Sequence, residues 1–267
     1  MGGMLRGELS EKWRFEAEGE YLFPEAYRVE GLFISPFLEA SYTSARYRPT
    51  VQQLIFRGNH HRWVNDFSNI QVDQVKGVLK ADFERFSLRP NIALRRVSNF
   101  VFFDQEQQAR QADADALMLI PGLKAGMNLG GKFYMDFEGY YTLLTGGGAD
   151  NFRIPELFAN FRTYYDTPLF DENLFMQIGF EVRYRSDNFA DAYSPALQQF
   201  HLQDDFNVFA YAVADAFVNL RINRTRILFR YNHLNQNMMA QPGYFVTPGF
   251  TGKRAFLDLG ISWPLFD

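Results

Sequence analysis

The stretch Arg254 to Asp267, RAFLDLGISWPLFD, alternates strictly in character: Leu257, Leu259, Ile261, Trp263 and Leu265 share one parity, and Asp258, Gly260 and Ser262 take the other. Successive side chains of a strand point to opposite faces, so this stretch predicts a strand with one wholly apolar face. Similar strands precede it along the chain, and together they are the sequence pattern of an antiparallel transmembrane β-barrel.

Composition agrees with that reading. The 267 residues are 47% hydrophobic and 17% aromatic, with 29 Phe and 14 Tyr, enough apolar material for a folded body and against global disorder. Mean hydropathy is nevertheless only −0.26, so apolar residues are interleaved with polar ones, as two-faced strands require. No run reaches the roughly 20 apolar residues of a membrane-crossing helix, which leaves a closed barrel as the way to span a bilayer. The absence of cysteine excludes disulfide and thiolate metal chemistry and suits export through an oxidising periplasm. A net charge of −4 argues against a nucleic-acid partner. The opening MGGMLRGELSEK lacks a basic and then apolar leader, which implies a removed signal peptide or a longer parent chain.

Strand alternation appears in twelve segments, at about 8–21, 30–43, 51–57, 70–85, 91–99, 115–128, 132–144, 156–166, 173–186, 206–222, 225–236 and 254–266. Short links at 87–90, 130–131, 167–171 and 223–224 alternate with long polar links at 58–69, 104–114, 145–155, 187–205 and 237–253. Periplasmic turns and extracellular loops produce that rhythm, and an even strand count places both ends on the periplasmic side. Tyr140, Tyr141, Tyr164, Tyr165, Tyr184, Tyr231 and Trp263 stand near strand ends, where aromatic girdles lie. The chain reads as one outer-membrane barrel domain over residues 1–267.

Parity assigns the wet face. Its charged members are Arg14, Glu16, Glu18, Lys76, Lys80, Asp82, Asp136, Glu138, Glu181, Arg183, Arg185, Asp215, Arg221, Arg226 and Arg230. Inward side chains set the width and field met by a diffusing solute, so these are the candidate pore-lining residues. The same groups serve equally as interior ion pairs that hold the wall, and without a ring of one sign they name no ion preference.

Other motifs carry less. Adjacent His60 and His61, near Asn59, Asp66 and Ser68, point to opposite faces of a strand and suit a solvated loop better than a metal site or hydrolase. Asp104, Glu106, Asp113 and Asp115 match no calcium-loop spacing, and the glycines at 146–148 lack the Lys-Ser or Lys-Thr of a phosphate loop and read as a flexible loop. Glu16 and Glu18, two apart on a strand, line one face and make no glycosidase pair. No cofactor, metal or catalytic group is expected.

Three C-terminal runs resemble the "putative porin" family of the Bacteroidetes outer membrane: FEVRYRSDNFADAYSPALQQFHLQ, VADAFVNLRINRTRILFRYNHLNQ and GYFVTPGFTGKRAFLDLGISWPLFD. The resemblance lies in Tyr193, Pro195, Phe200 and Gln203. It continues in Asp215, Phe217 and Asn219 before a tight turn and Arg226, in His233, Leu234 and Asn235, and in the Tyr-x-x-x-Pro-Gly loop, where Phe250 replaces the usual Tyr. Upstream, NHHRWVNDF around Trp63 is similar to a loop of that family. Its members are usually longer, so the resemblance implies the C-terminal part of a larger barrel or a truncated gene product, in which twelve strands close alone or form an arc. It further implies a channel for passive diffusion of small hydrophilic solutes, with outer-membrane lipid and lipopolysaccharide as surroundings and homo-oligomerisation left open. The alternative is a non-conducting structural or assembly barrel.

Overall fold

The computed structural model describes residues 2–10, 12–238 and 243–264, so Leu265 and the final Phe266 and Asp267 lie outside the described residues. Thirteen strands form a path in chain order, every neighbouring pair antiparallel. They are β1 (Gly2–Ser10), β2 (Trp13–Leu22), β3 (Ala26–Ile34), β4 (Leu38–Tyr47), β5 (Ile70–Leu79), β6 (Phe86–Ser98) and β7 (Ala116–Gly130). The path continues through β8 (Phe133–Tyr141), β9 (Leu157–Leu169), β10 (Leu174–Arg185), β11 (Tyr211–Ile222), β12 (Thr225–Asn232) and β13 (Phe256–Ser262). Short strands Ala81–Asp82 and Leu143–Thr145 add to β6 and β7. Among the described residues no ladder joins β1 to β13, so the sheet is open.

The alternation of the last strand holds in three dimensions. Leu257, Leu259 and Ile261 are register partners of Tyr231, Phe229 and Ile227, and all three are more than 60% exposed. On β7 the same face carries Leu117, Leu119, Pro121, Leu123, Ala125, Met127 and Leu129, and β6 adds Phe86, Leu88, Pro90, Ile92 and Leu94. At about 3.3 Å per residue and a tilt near 40°, such a run is the height of a bilayer's hydrocarbon layer. Asp73 and Arg96, also on this face, stand at its loop end and pair with each other at 3.3 Å.

Several sequence expectations need correction. The segments 8–21 and 30–43 are not two strands but part of four, β1 to β4, joined by links of two to three residues at 11–12, 23–25 and 35–37. Those links are too short to interrupt the composition. Ser35 nevertheless closes its turn through its side chain, Oγ to the Leu38 N–H at 2.9 Å, and Pro24 and Pro36 mark places where a ladder cannot continue. With thirteen strands, the start of β1 and the end of β13 lie at opposite ends of the sheet, not at the same one. The expected turn at 87–90 lies inside β6, and the link is 80–85.

Segment 51–57 is a single helical turn, Val51–Leu54, followed by a small hairpin, Ile55–Arg57 with Arg62–Val64. Thr50 and Gln53 cap that turn reciprocally, a Thr-x-x-Gln signature visible in the sequence. The segment belongs to a layer built from the long links. Three more hairpins join it, Val101–Phe103 with Ala109–Gln111, Ala192–Ser194 with Gln199–His201, and Phe245–Thr247 with Phe250–Thr251. Trp63, Phe103, Ala109 and Leu197 form its core, and Trp63 donates Nε1–H to the Gln52 carbonyl at 2.9 Å.

The glycine run is packed rather than loose. A Cβ on Gly148 would stand 2.4 Å from the Ala114 carbonyl oxygen, and one on Gly146, at φ +91°, 2.5 Å from that of Asp115. Only glycine lets the two backbones approach so closely.

Candidate functional site: the charged face

Cross-strand partners share a face, so the ladders trace one surface from β2 to β13. It passes through Glu18–Glu30–Thr43–Gln74–Arg95 on one side, and through Lys124–Glu138–Asn160–Arg183–Val213 on the other. The ladders place Arg14, Glu16, Glu18, Lys76, Asp82, Asp136, Glu138, Glu181, Arg183, Arg185, Asp215, Arg221, Arg226 and Arg230 on this one surface. Lys80, just beyond β5, reaches it through Glu39 at 3.2 Å.

The surface is knit by charge pairs. Arg14 meets Glu16 at 3.3 Å, Asp82 meets Arg89 at 2.5 Å, and Lys124 meets Glu138 at 2.7 Å. Under the loop layer the pairing becomes a buried brace. Asp215, with no exposure, accepts from Arg183, from Arg230 at 3.4 Å and from the His233 backbone N–H at 2.9 Å. Glu181 holds Arg230 at 2.9 Å. Arg162 lies 4.4 Å over the Phe217 ring and donates to Gln177 at 2.5 Å. Asp215 thus supports its neighbours from beneath and is closed to solvent.

The run His233-Leu234-Asn235 folds back on β11. Asn235 accepts from the Ala214 N–H and donates to the Ala212 carbonyl, and the His233 ring bonds the Tyr211 hydroxyl at 2.8 Å. Asp215 of the Asp-x-Phe-x-Asn motif thus meets the His-Leu-Asn run through the His233 N–H, while Asn219 of that motif donates to Gln177 at 3.0 Å.

Charge is unevenly spread. β2 to β4 present Glu16, Glu18, Glu20, Glu30 and Glu39 against Arg14 and Arg28, while β10 to β12 present five arginines against Glu181 and Asp215. Arg28, Glu30, Glu39, Arg89, Arg95, Lys124 and Arg162 also belong to the surface and lie outside the parity set. Arg89 was lost with the misplaced turn, whereas the parity of Lys124 and Arg162 within their strands was signal enough.

The loop layer lies over this face and not over the apolar one. Met118 and Val97, on the charged face, are 1% and 5% exposed beneath Phe67, Phe100 and Phe152, while Leu117 on the opposite face is 39% exposed. Arg185 reaches the Phe245 carbonyl, tying the wall to the last loop. Within the layer Gln52 donates to the Leu197 carbonyl at 2.5 Å, the Leu202 N–H to Phe103 at 2.9 Å, and Arg153 pairs with Asp204 at 2.6 Å. Asp104 closes its hairpin by accepting from the Gln108 N–H and from Arg110, whose guanidinium it holds above its ordinary pKa. His61 bonds Gln108 at 3.1 Å, and among the described residues no group of acidic, histidine or cysteine side chains is disposed to hold a metal.

A two-faced, all-antiparallel sheet with a lipid-compatible surface, a charged surface and long links gathered at one end defines the class of outer-membrane β-barrels. The chain belongs to the family described as "Putative porin", which it matches over residues 1–267. Among solved structures it is similar to the FrpB iron transporter from Neisseria meningitidis, at 10% identity and a TM-score of 0.62, over 98% of this chain and 44% of that one. The copper transporter OprC is similar at 13% identity and a TM-score of 0.62, over 87% of this chain and 41% of that one. The pyoverdine outer membrane receptor FpvA from Pseudomonas aeruginosa PAO1 is similar at 10% identity and a TM-score of 0.61, over 99% and 42%. The chain thus spans less than half the length of these proteins, and at such identity the likeness is one of fold. A search of curated proteins finds no match. Family and fold together place the protein in the outer membrane as a transport-related barrel.

Proposed function

We propose that the charged face lines a water-filled passage through which small hydrophilic solutes diffuse passively, without a cofactor and without covalent chemistry. The observation that carries this reading is segregation: fifteen charged groups, picked by parity, share one surface, and the opposite surface is a belt of exposed Leu, Ile and Phe. A charge on the lipid side costs roughly 2–4 kcal/mol near the midplane, so only the charged face is suited to water. The loop layer, bonded to Arg185 and spread over the same face, narrows one mouth. On this reading lipid covers the apolar belt and lipopolysaccharide meets the loop end.

Reconstitution into planar bilayers tests it. Stepwise openings whose conductance rises in proportion to salt are expected. Silence from protein shown to be folded by heat-modifiable gel mobility would replace the channel with a non-conducting structural barrel.

A further inference from the structure

Arg221 and Arg226 are register partners at the turn end of the β11–β12 hairpin, on the charged face. Like charges directly opposite each other repel, and a folded wall normally offsets that with a carboxylate. The other arginines of this face are matched in that way or nearly so. Arg14, Arg28, Arg89, Arg183 and Arg230 have carboxylates, Arg95 and Arg162 have amide oxygens, and Arg185 has carbonyls. Arg221 has only the ring of Phe175, 4.2 Å beneath its guanidinium, and Arg226 has no hydrogen bond or ion pair among the described residues.

Beside the pair is a recess of about 660 Å³, bordered by Phe175, Gln177, Asn219, Leu228 and Ser262. Its floor is low because Gly260 stands between Asp258 and Ser262 on the same face. Asp166 also borders the recess, where its carboxylate is engaged by the Gln177 amide at 3.4 Å, and Gln177 also accepts from Asn219 at 3.0 Å. Two planar donor forks, an amide pair and an open volume are the complement of a planar or tetrahedral oxyanion.

We infer that Arg221 and Arg226 form a binding site for the carboxylate or phosphate group of a water-soluble solute at the turn-side mouth of the passage. The inference rests on the proposed wet character of the charged face, but the site itself is read from binding and not from conduction. A lipid headgroup shares the anionic chemistry, yet Leu220, Ile227 and Ile261 face the lipid side here and the two arginines face away from it.

The test is calorimetric titration of the full chain, folded in zwitterionic-lipid nanodiscs, with inorganic phosphate and with succinate. Phosphate binding is expected to weaken roughly tenfold in Arg226→Gln and in Arg221→Gln, the loss of about one charge-assisted contact. Arg226→Lys, which keeps the charge and loses the fork, falls between wild type and Arg226→Gln, and Arg96→Gln on the opposite face leaves binding unchanged. The idea is overturned if the Gln variants bind as wild type does, or if phosphate binds no better than chloride. Competition that appears when anionic lipid replaces zwitterionic lipid would assign the site to a headgroup and equally overturn it. Phosphate bound by a protein that passes no current would leave this site standing and remove the passage.

Discussion

Asp215→Ala probes whether the buried brace holds the wall. The wild-type carboxylate is wholly buried and accepts from Arg183, Arg230 and the His233 N–H. Hydrogen bonds to charged groups contribute about 1.5–3 kcal/mol each, but not all of that is lost here. The Arg183 side chain is 42% exposed and regains water, and Arg230 keeps Glu181 at 2.9 Å. The irrecoverable part is the orphaned His233 N–H and half of Arg230's pairing, in a place where removing one partner of a buried ion pair is costly. The expected loss is about 3 kcal/mol, roughly 150-fold in the folding equilibrium. Urea titration in micelles, followed by tryptophan fluorescence and gel mobility, measures it. Asp258→Ala, which removes only the exposed contact with Asn232, serves as the control and shifts the midpoint by less than about 0.5 kcal/mol. A loss at Asp215 no larger than at Asp258 would mean that the brace is incidental and that packing alone fixes β10 to β12.

Three further outcomes follow from the same geometry. Leu259→Arg, on the exposed apolar belt, lowers folding into vesicles by about 2–4 kcal/mol, whereas Leu228→Arg on the opposite face of the neighbouring strand costs under about 1 kcal/mol, both read from folded fractions on gels. Trp63→Ala empties the loop core and removes the Nε1–H bond to Gln52, so protease cuts within 51–69 rise sharply while the urea midpoint of the sheet stays where it was. Burial pushes the Asp191 carboxyl up, against the opposing pull of Arg153 and His201. A raised carboxyl favours the protonated folded form, so the layer is tightest below the ordinary aspartate range and loosens as pH rises through the raised value. Hydrogen exchange over 187–210 should follow that curve, and Asp191→Asn should flatten it.

Period-two alternation was readable wherever one face meets lipid and the other meets water, because each residue is then constrained by its own side of the sheet. That is why the strands from β7 to β13, and the face that each charged residue takes, are legible. The first four strands were misdivided because their turns are two or three residues long and leave the composition unbroken. The loop layer was illegible for a different reason. Asn59, His60 and His61 look solvated, and nothing local in NHHRWVNDF says that Trp63 and Phe103 meet, since that contact joins two links forty residues apart. The like-charged pair Arg221 and Arg226 was visible as parity, but its lack of a carboxylate depends on which strands flank β11 and β12.

Two features set the charged face apart from the apolar one: the exposed apolar belt and the side on which the loop layer lies. An apolar belt by itself fits a soluble sheet awaiting a second layer, which would cover that belt. Among the described residues the covering layer lies on the other side: the loops bury Met118 and Val97 and leave Leu117 and Leu119 open. Loops rich in Asp, Asn and Gln settle on the face whose mixed charges can bond them, as Arg185 does with the Phe245 carbonyl. The belt is left bare by a chain that had ample aromatic material with which to cover it. A sheet that spends its loops on its polar face and leaves its apolar face exposed is built for a solvent that is itself apolar.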